Sequence, residues 1–142
     1  HDPTEGGLSG GLVEMATGAE VGMLIDEDAI PVLPECHEIC DALDLDPLGL
    51  IASGSLLAAV PPGDVQRLTE TLAPKGVAAY EIGQVAESGE GLKIRGSDGV
   101  RDLPMFARDE LAGGLGGRQS YLNNGIRTGY RPSPALDASD AA

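Results

Sequence analysis

The chain has 142 residues and a mass of 14.5 kDa, which suits one compact domain. Its net charge is −14, from 23 acidic and 9 basic residues, so its surface repels nucleic acid and anionic lipid, whose binding needs clustered Lys and Arg. No stretch approaches the roughly 18 consecutive apolar residues of a membrane span. We therefore expect binding to neither nucleic acid nor membranes.

Helices and strands alternate in the first part of the sequence. Thr4 is a candidate N-cap for a helix that Gly18 is placed to end, because apolar residues recur at helical spacing between them. A strand is predicted over 21–26. A second helix is predicted from Pro34 to about Leu43, with a buried side formed by Cys36, Ile39, Cys40 and Leu43.

The middle of the sequence repeats this alternation. A loop over 48–53 leads through Gly54 into a predicted strand over 56–60. The next helix is expected to end at Gly76, and it is predicted to carry inward Val65, Leu68 and Leu72.

The last predicted elements form a hairpin and a short helix. A strand over 77–85 is expected to pair with residues 92–94 across an intervening turn, and Asp98-Gly99 marks a further turn. Residues 106–111 are predicted to form a last short helix. The whole pattern predicts an α+β fold, with a mixed β-sheet and flanking helices.

The composition divides the chain into two parts. Residues 1–112 hold 21 acids and 6 bases, a charge of −15, whereas residues 113–142 hold 2 acids and 3 bases, a charge of +1. The second part is rich in Gly and lacks apolar periodicity. We predict a folded domain over 1–112 and a disordered segment over 113–142.

The opening sequence, His1 to Leu8, carries the most chemical information. Gly6 and Gly7 leave the predicted first helical turn without side chains, and the unpaired N–H groups of such a turn favour an anion such as phosphate. Gly10-Gly11 in the same helix costs about 1 kcal/mol per residue relative to Ala, which indicates close approach by a backbone, a ligand or another domain. The residues alone also allow a simpler interpretation, a helix start after a turn.

Other reactive side chains have ordinary explanations. Cys36 and Cys40 share one helical face, His37 lies about 100° away from it, and a tetrahedral metal site would need further ligands. We therefore predict two core thiols, a surface imidazole and no metal site. His1 is an open candidate for a general acid or base.

Four stretches resemble one family in the same order. They are His-Asp-Pro-Thr-x-Gly-Gly-Leu at 1–8, Ile-Pro-Val at 30–32, the loop and strand over 46–57, and Glu-Ile-Gly-Gln-Val at 81–85. Over about residues 1–111 the chain resembles the C-terminal domain of the aminoimidazole ribonucleotide (AIR) synthase superfamily. Within it, the chain is similar to the branch related to the hydrogenase-maturation carbamoyl dehydratase.

The resemblance implies an ATP-dependent enzyme of two domains. In that family an N-terminal half supplies most ligands of ATP and Mg²⁺ and most of the dimer contact, and the C-terminal half closes over an interdomain cleft. The chemistry phosphorylates a carbonyl, carboxamide or related oxygen, or transfers phosphate. By this resemblance, the phosphate- and substrate-binding residues are Asp2, Thr4, Gly6 and Gly7, with a second loop of Ser53, Gly54 and Ser55.

The expected partners follow from the same resemblance. They are the N-terminal ATP-binding domain of the same protein, a second copy in a homodimer when full length, and a small-molecule substrate. The sequence does not begin with Met, which predicts a fragment that is inactive alone. Two thiols without a secretion signal predict a reducing compartment, the cytoplasm.

Two departures from the carbamoyl dehydratase pattern argue against that reaction. Glu5 stands where the pattern usually has Arg, and the chain ends at Ala142, where that enzyme ends in a Cys that carries the substrate group. The alternative hypothesis is a stand-alone module that binds a small anionic metabolite without catalysis.

Overall fold

The structure, a computed structural model, describes residues 1–106. A four-stranded mixed sheet and three α-helices make up this part of the chain, which confirms the predicted α+β class. The predicted segment at 113–142, and all of the predicted last helix except Phe106, lie outside the described residues. The elements are α1 (Gly7–Ala19), β1 (Gly22–Asp26), α2 (Pro34–Leu43), α3 (Val65–Leu72), β2 (Gly83–Ala86), β3 (Leu92–Gly96) and β4 (Gly99–Asp102).

The sheet has the order β2-β1-β3-β4. β1 runs antiparallel to β2 and parallel to β3, and β4 closes the sheet antiparallel to β3. The predicted hairpin between 77–85 and 92–94 is therefore wrong, because β1 lies between these segments. Met23 of β1 pairs with Val85 on one side and Leu92 on the other. The predicted turn at Asp98-Gly99 is confirmed, and it leads into β4, which the sequence did not predict.

Two predicted strands are shortened or lost. Of the strand predicted over 77–85, only residues 83–85 pair in the sheet, and the observed strand is Gly83–Ala86. Residues 56–60 form no strand, although their apolar character predicts one. Leu57 instead exchanges backbone hydrogen bonds with His1, and the side chain of Leu56 is 77% exposed. These apolar residues therefore belong to a loop that runs along the first residues of the chain.

The helices form where predicted, but their ends and buried faces differ. The N-cap of α1 is Gly6, not Thr4, and α1 passes through Gly18 to Ala19. α2 has the predicted bounds, yet of its predicted buried face only Cys40 is fully buried. α3 turns into a short 3-10 segment before Gly76, whose φ of 73° ends it. None of the helices within residues 1–106 is long and apolar enough to span a membrane.

The core lies between α1 and one face of the sheet. Ile94 of β3 is fully buried at its centre, and α1 contributes its apolar stripe above it. Because this layer is the main apolar contact between helix and sheet, it determines how α1 is oriented. The cluster consists of Leu12, Ala16, Met23, Ile25, Leu48, Ile94 and Leu103.

Replacing Ile94 by Ala should lower the free energy of unfolding by about 2 to 5 kcal/mol, because the cavity lies in the middle of the core. The matched control is Val100→Ala on β4, whose side chain is 60% exposed and whose loss should cost less than about 1 kcal/mol. Urea denaturation of the chain measures both. Equal losses in the two variants would contradict this description of the core.

Candidate functional site

The opening segment, residues 1–4, lies alongside the loop at 52–57. The backbone N–H of Leu57 donates to the His1 carbonyl at 2.8 Å, and the His1 backbone nitrogen donates to the Leu57 carbonyl at 2.8 Å. At the other end, the Ala52 N–H donates to the Thr4 carbonyl at 3.3 Å. Two segments that are about 50 residues apart in sequence are thereby held together.

This pairing brings together the exposed members of the predicted site. We call them the polar rim: Asp2, Thr4, Ser53, Gly54 and Ser55, all of which are exposed. The Ser55 N–H donates to the Ala52 carbonyl at 3.1 Å, which turns the loop back on itself, and Gly54 has a φ of 94° in this turn. The rim thus presents one carboxylate and three hydroxyls at one edge of the domain.

Gly6 and Gly7 occupy a different environment from the rim, because both are buried. Their φ angles of 76° and 66° are left-handed, a conformation that favours glycine. The Gly7 N–H donates to the Thr4 carbonyl at 3.2 Å. A Cβ on Gly7 would lie 2.5 Å from the Leu48 carbonyl oxygen and 2.9 Å from the Gly49 carbonyl carbon. Both glycines are therefore explained by the turn into α1 and by backbone packing.

The glycines inside α1 mark a close approach, as predicted. A Cβ on Gly11 would lie 2.7 Å from the Cβ of Pro3, a residue that is fully buried. A Cβ on Gly10 would lie 3.2 Å from the Glu5 carbonyl oxygen. The approaching group is the chain's own opening segment, which these small residues allow to lie flat on the helix.

Two polar residues that sequence reasoning did not assign to the site support it. The Asp46 carboxylate accepts a hydrogen bond from the Leu48 N–H at 2.9 Å and so caps the 3-10 turn Pro47–Gly49. An Asp directly before Pro at a turn is a capping signal that could have identified it. Glu14 lies 2.7 Å from His1 Nε2 and holds the imidazole against α1. Nothing in the sequence spacing pointed to that pair.

At the start of α1 the backbone dipole of the helix attracts an anion, whereas the nearby acidic side chains repel it. The first turn of α1 carries no acidic side chain, so the positive end of its dipole is not neutralised within the helix. Asp2 and Glu5, both exposed, place carboxylates beside it. Such an arrangement can bind a phosphate directly, or a phosphate together with a cation held by a carboxylate.

The cysteines lie away from this site, on α2. Cys40 is buried and Cys36 is half-buried, so only one of the two predicted core thiols is in the core. Burial, followed by the contact with Cys36, raises the pKa of the Cys40 thiol above its usual range. Within residues 1–106, no group of three or more His, Cys, Asp or Glu side chains is arranged to hold a metal ion.

The fold and the glycine-rich start of α1 define a known class of domain. Residues 1–94 match the family described as AIR synthase related protein, C-terminal domain, and the chain belongs to that family. Within the family it is related to the hydrogenase-maturation branch. The resemblance seen in the sequence is thus confirmed.

The curated relatives come from hydrogenase maturation. The carbamoyl dehydratase HypE of Cupriavidus necator is 42% identical over 91 residues, which are 63% of this chain and 26% of the relative. A protein of Methanocaldococcus jannaschii, whose name assigns it provisionally to hydrogenase expression or formation, is 40% identical over 112 residues, 78% of this chain and 33% of the relative. The chain therefore spans about a third or less of the length of these relatives.

Solved structures agree with this relationship. The crystal structure of Escherichia coli HypE has a TM-score of 0.70 and 32% identity, covering 78% of this chain and 35% of HypE. A HypE structure in complex with ATP has a TM-score of 0.69 and 31% identity, covering 77% and 36%. A further match at TM-score 0.68 and 27% identity, covering 75% and 35%, is a complex of HypE with HypF.

Replacing Gly7 by Ala should lower the free energy of unfolding by roughly 2 to 6 kcal/mol, since a strained left-handed residue and an overpacked contact cost about 1 to 3 kcal/mol each. Gly18→Ala is the matched control, because no atom outside its own stretch of helix backbone lies within 4 Å of its Cβ position. That change should raise stability by up to about 1 kcal/mol. Thermal and urea unfolding measure both, and a stable Gly7→Ala protein would refute the packing account.

Proposed function

We propose that this chain is the C-terminal domain of an ATP-dependent enzyme of the hydrogenase-maturation type, and that its polar rim forms one wall of a cleft shared with an N-terminal half. The observation that carries the proposal is the hydrogen-bonded pairing of residues 1–4 with residues 52–57 at the N-terminus of α1. This pairing places the candidate phosphate-binding and substrate-binding segments of the family on one edge. Among the solved relatives, a HypE structure in complex with ATP supports nucleotide use.

The residues of the rim fit a triphosphate and its cation. Thr4, Ser53 and Ser55 offer hydroxyl donors, and the start of α1 adds the positive end of a helix dipole. Asp2 offers a carboxylate of the kind that holds Mg²⁺ together with phosphate oxygens. When bound, ATP supplies the phosphoryl group that activates a substrate oxygen. Gly6 and Gly7 contribute the tight turn that places these side chains at the cleft.

Apolar residues next to the rim fit a contact with another domain. Ile51 is 57% exposed and Leu56 is 77% exposed, and they flank the loop that carries Ser53 and Ser55. Exposed apolar side chains around a polar group are typical of a surface that another protein surface covers. In the proposal, the N-terminal half of the same protein covers them and supplies most of the nucleotide ligands.

The substrate class follows from the relatives and from one departure. The name of the Cupriavidus necator relative identifies a carbamoyl group as its substrate, so a carbonyl or carboxamide oxygen is the group that we propose this enzyme activates. Glu5 is exposed at the start of α1, where its charge repels a phosphate. We propose that it weakens phosphate binding and so distinguishes this chain from the carbamoyl dehydratase pattern that it resembles, which usually has Arg at that position.

In the full-length protein, Asp2→Asn should lower substrate-dependent ATP turnover by about 100- to 1,000-fold, the range typical for loss of a group that stabilises developing charge. The matched control is Asp98→Asn in the turn between β3 and β4, which is also exposed and is not part of the rim. Steady-state phosphate release at several Mg²⁺ concentrations measures both. Equal rates in the two variants would remove Asp2 from the proposed site.

Glu5→Arg in the full-length protein should lower the Kd for ATP several-fold, roughly 1 kcal/mol, because a repelling charge is replaced by an attracting one near the surface. Glu5→Gln should give about half of that effect in free energy. Calorimetric titration at low and high salt measures the Kd, and the difference should shrink as salt rises. No change in Kd at low salt would show that Glu5 does not face the phosphates.

A further inference from the structure

An open cleft of about 450 Å³ lies between α1, the sheet and α3. Its floor is the core itself, where Met23 and Ile25 of β1 are buried. α3 packs mainly against the short turns that flank it, and none of its residues is fully buried. The apolar side of this helix therefore borders the cleft and does not close it.

Apolar side chains that border the cleft remain accessible to solvent. Leu68 of α3 and Val60 are exposed, and Val85 of β2 is 51% exposed. Val85 pairs with the buried Met23, so both side chains lie on the face of the sheet that carries the core. An apolar ligand in the cleft would cover side chains that no part of residues 1–106 covers.

One acidic residue, Glu81, gives the cleft its charge. The Asp26 N–H donates to the Ile82 carbonyl at 2.8 Å, which continues the hydrogen bonding to β1 past Gly83. Because side chains alternate along an extended strand, Glu81 lies on the same face as Val85. Among the described residues that line the cleft it is the only charged one, and within residues 1–106 its carboxylate has no hydrogen-bonding or ionic partner.

We propose that this cleft binds a small amphiphilic amine, whose alkyl or aryl body contacts the apolar walls and whose ammonium group pairs with Glu81. A cleft of 450 Å³ suits a small molecule, for which about 300 to 1,000 Å³ is usual, whereas a folded partner needs about 800 Å² of surface. Glu81 and the net charge of −14 repel a phosphate or a carboxylate. Tyr80 also lines the cleft, and aromatic rings attract ammonium groups. This site is separate from the polar rim and does not depend on the function proposed for it.

Calorimetric titration of the whole chain with n-octylamine, 1-octanol and octanoate tests the site, because the three probes share an alkyl chain and differ in charge. One octylamine should bind per chain, with a Kd of about 1 mM or below. Octanol should bind about 2- to 5-fold more weakly, the range of an exposed charge pair, and octanoate more weakly still. Glu81→Gln should abolish the advantage of the amine over the alcohol. Glu38→Gln, an exposed acid of α2 outside the cleft, should retain it.

Leu68→Ala separates the apolar wall from the charge. Since Leu68 is already exposed, the change should leave the chain folded and weaken binding of octylamine and octanol alike, by at least about 3-fold. In methyl NMR spectra, octylamine should shift the signals of Met15 and Leu68, which line the cleft, and leave that of Val100 on β4 unchanged.

Three results would overturn the proposal. The first is the absence of saturable octylamine binding, and the second is an amine preference that Glu81→Gln retains. The third is binding to this chain that is lost in the full-length protein, because the N-terminal half would then occupy the cleft.

Discussion

The site depends on the contact between the start of α1 and the turn Pro47–Gly49, where two stretches of backbone meet without a side chain between them. Gly7 allows this contact because it has no side chain, and its left-handed φ turns the chain into the helix at the same point. The Asp46 carboxylate fixes the opposite surface by capping the turn. Because the turn Pro47–Gly49 packs against the N-terminus of α1, the loop at 52–57 that follows it lies close enough to pair with residues 1–4.

Apolar packing, more than charge, holds this arrangement in place. Three basic residues on β3 and β4 form ion pairs with acidic residues on neighbouring strands or turns. Lys93 lies 2.6 Å from Asp102, and this contact lowers the pKa of the Asp102 carboxyl. Exposed pairs of this kind contribute little to stability. Solvent does not screen the apolar contacts of the buried layer under α1, so this layer contributes more to the free energy of unfolding. Between α1, the sheet and α3 it leaves an open cleft of about 450 Å³ with mainly apolar walls.

The sequence predicted what depends on local pattern and missed what depends on distant partners. Pro34 and the helical spacing after it predicted the bounds of α2 correctly. The pairing of β1 with β3 was missed, because a turn signal between 85 and 92 favours a hairpin and nothing local shows that β1 inserts there. Residues 56–60 have strand propensity, but their partner is the opening segment. Thr4 fits the N-cap rule, yet the left-handed Gly6 takes that position.

The same division holds for the site. Its proposed members come from the family resemblance, and the spacing at Gly10-Gly11 correctly indicated a close approach. The sequence did not show that Gly6 and Gly7 are buried while Asp2 and Thr4 are exposed, because that depends on how the turn at 47–49 packs against the helix. The spacing of Cys36 and Cys40 indicated that they share one face of α2, but it did not show that Cys36 is only half-buried.

Amide hydrogen exchange of the full-length protein, with and without ATP and Mg²⁺, tests the polar rim as a wall of the nucleotide cleft most directly. Exchange reports local opening along the chain. Bound nucleotide should slow exchange in residues 1–7 and 52–57 together, and it should leave the β3–β4 turn around Asp98 unchanged. Slowed exchange confined to the N-terminal half, with both rim segments unaffected, would contradict the proposed site.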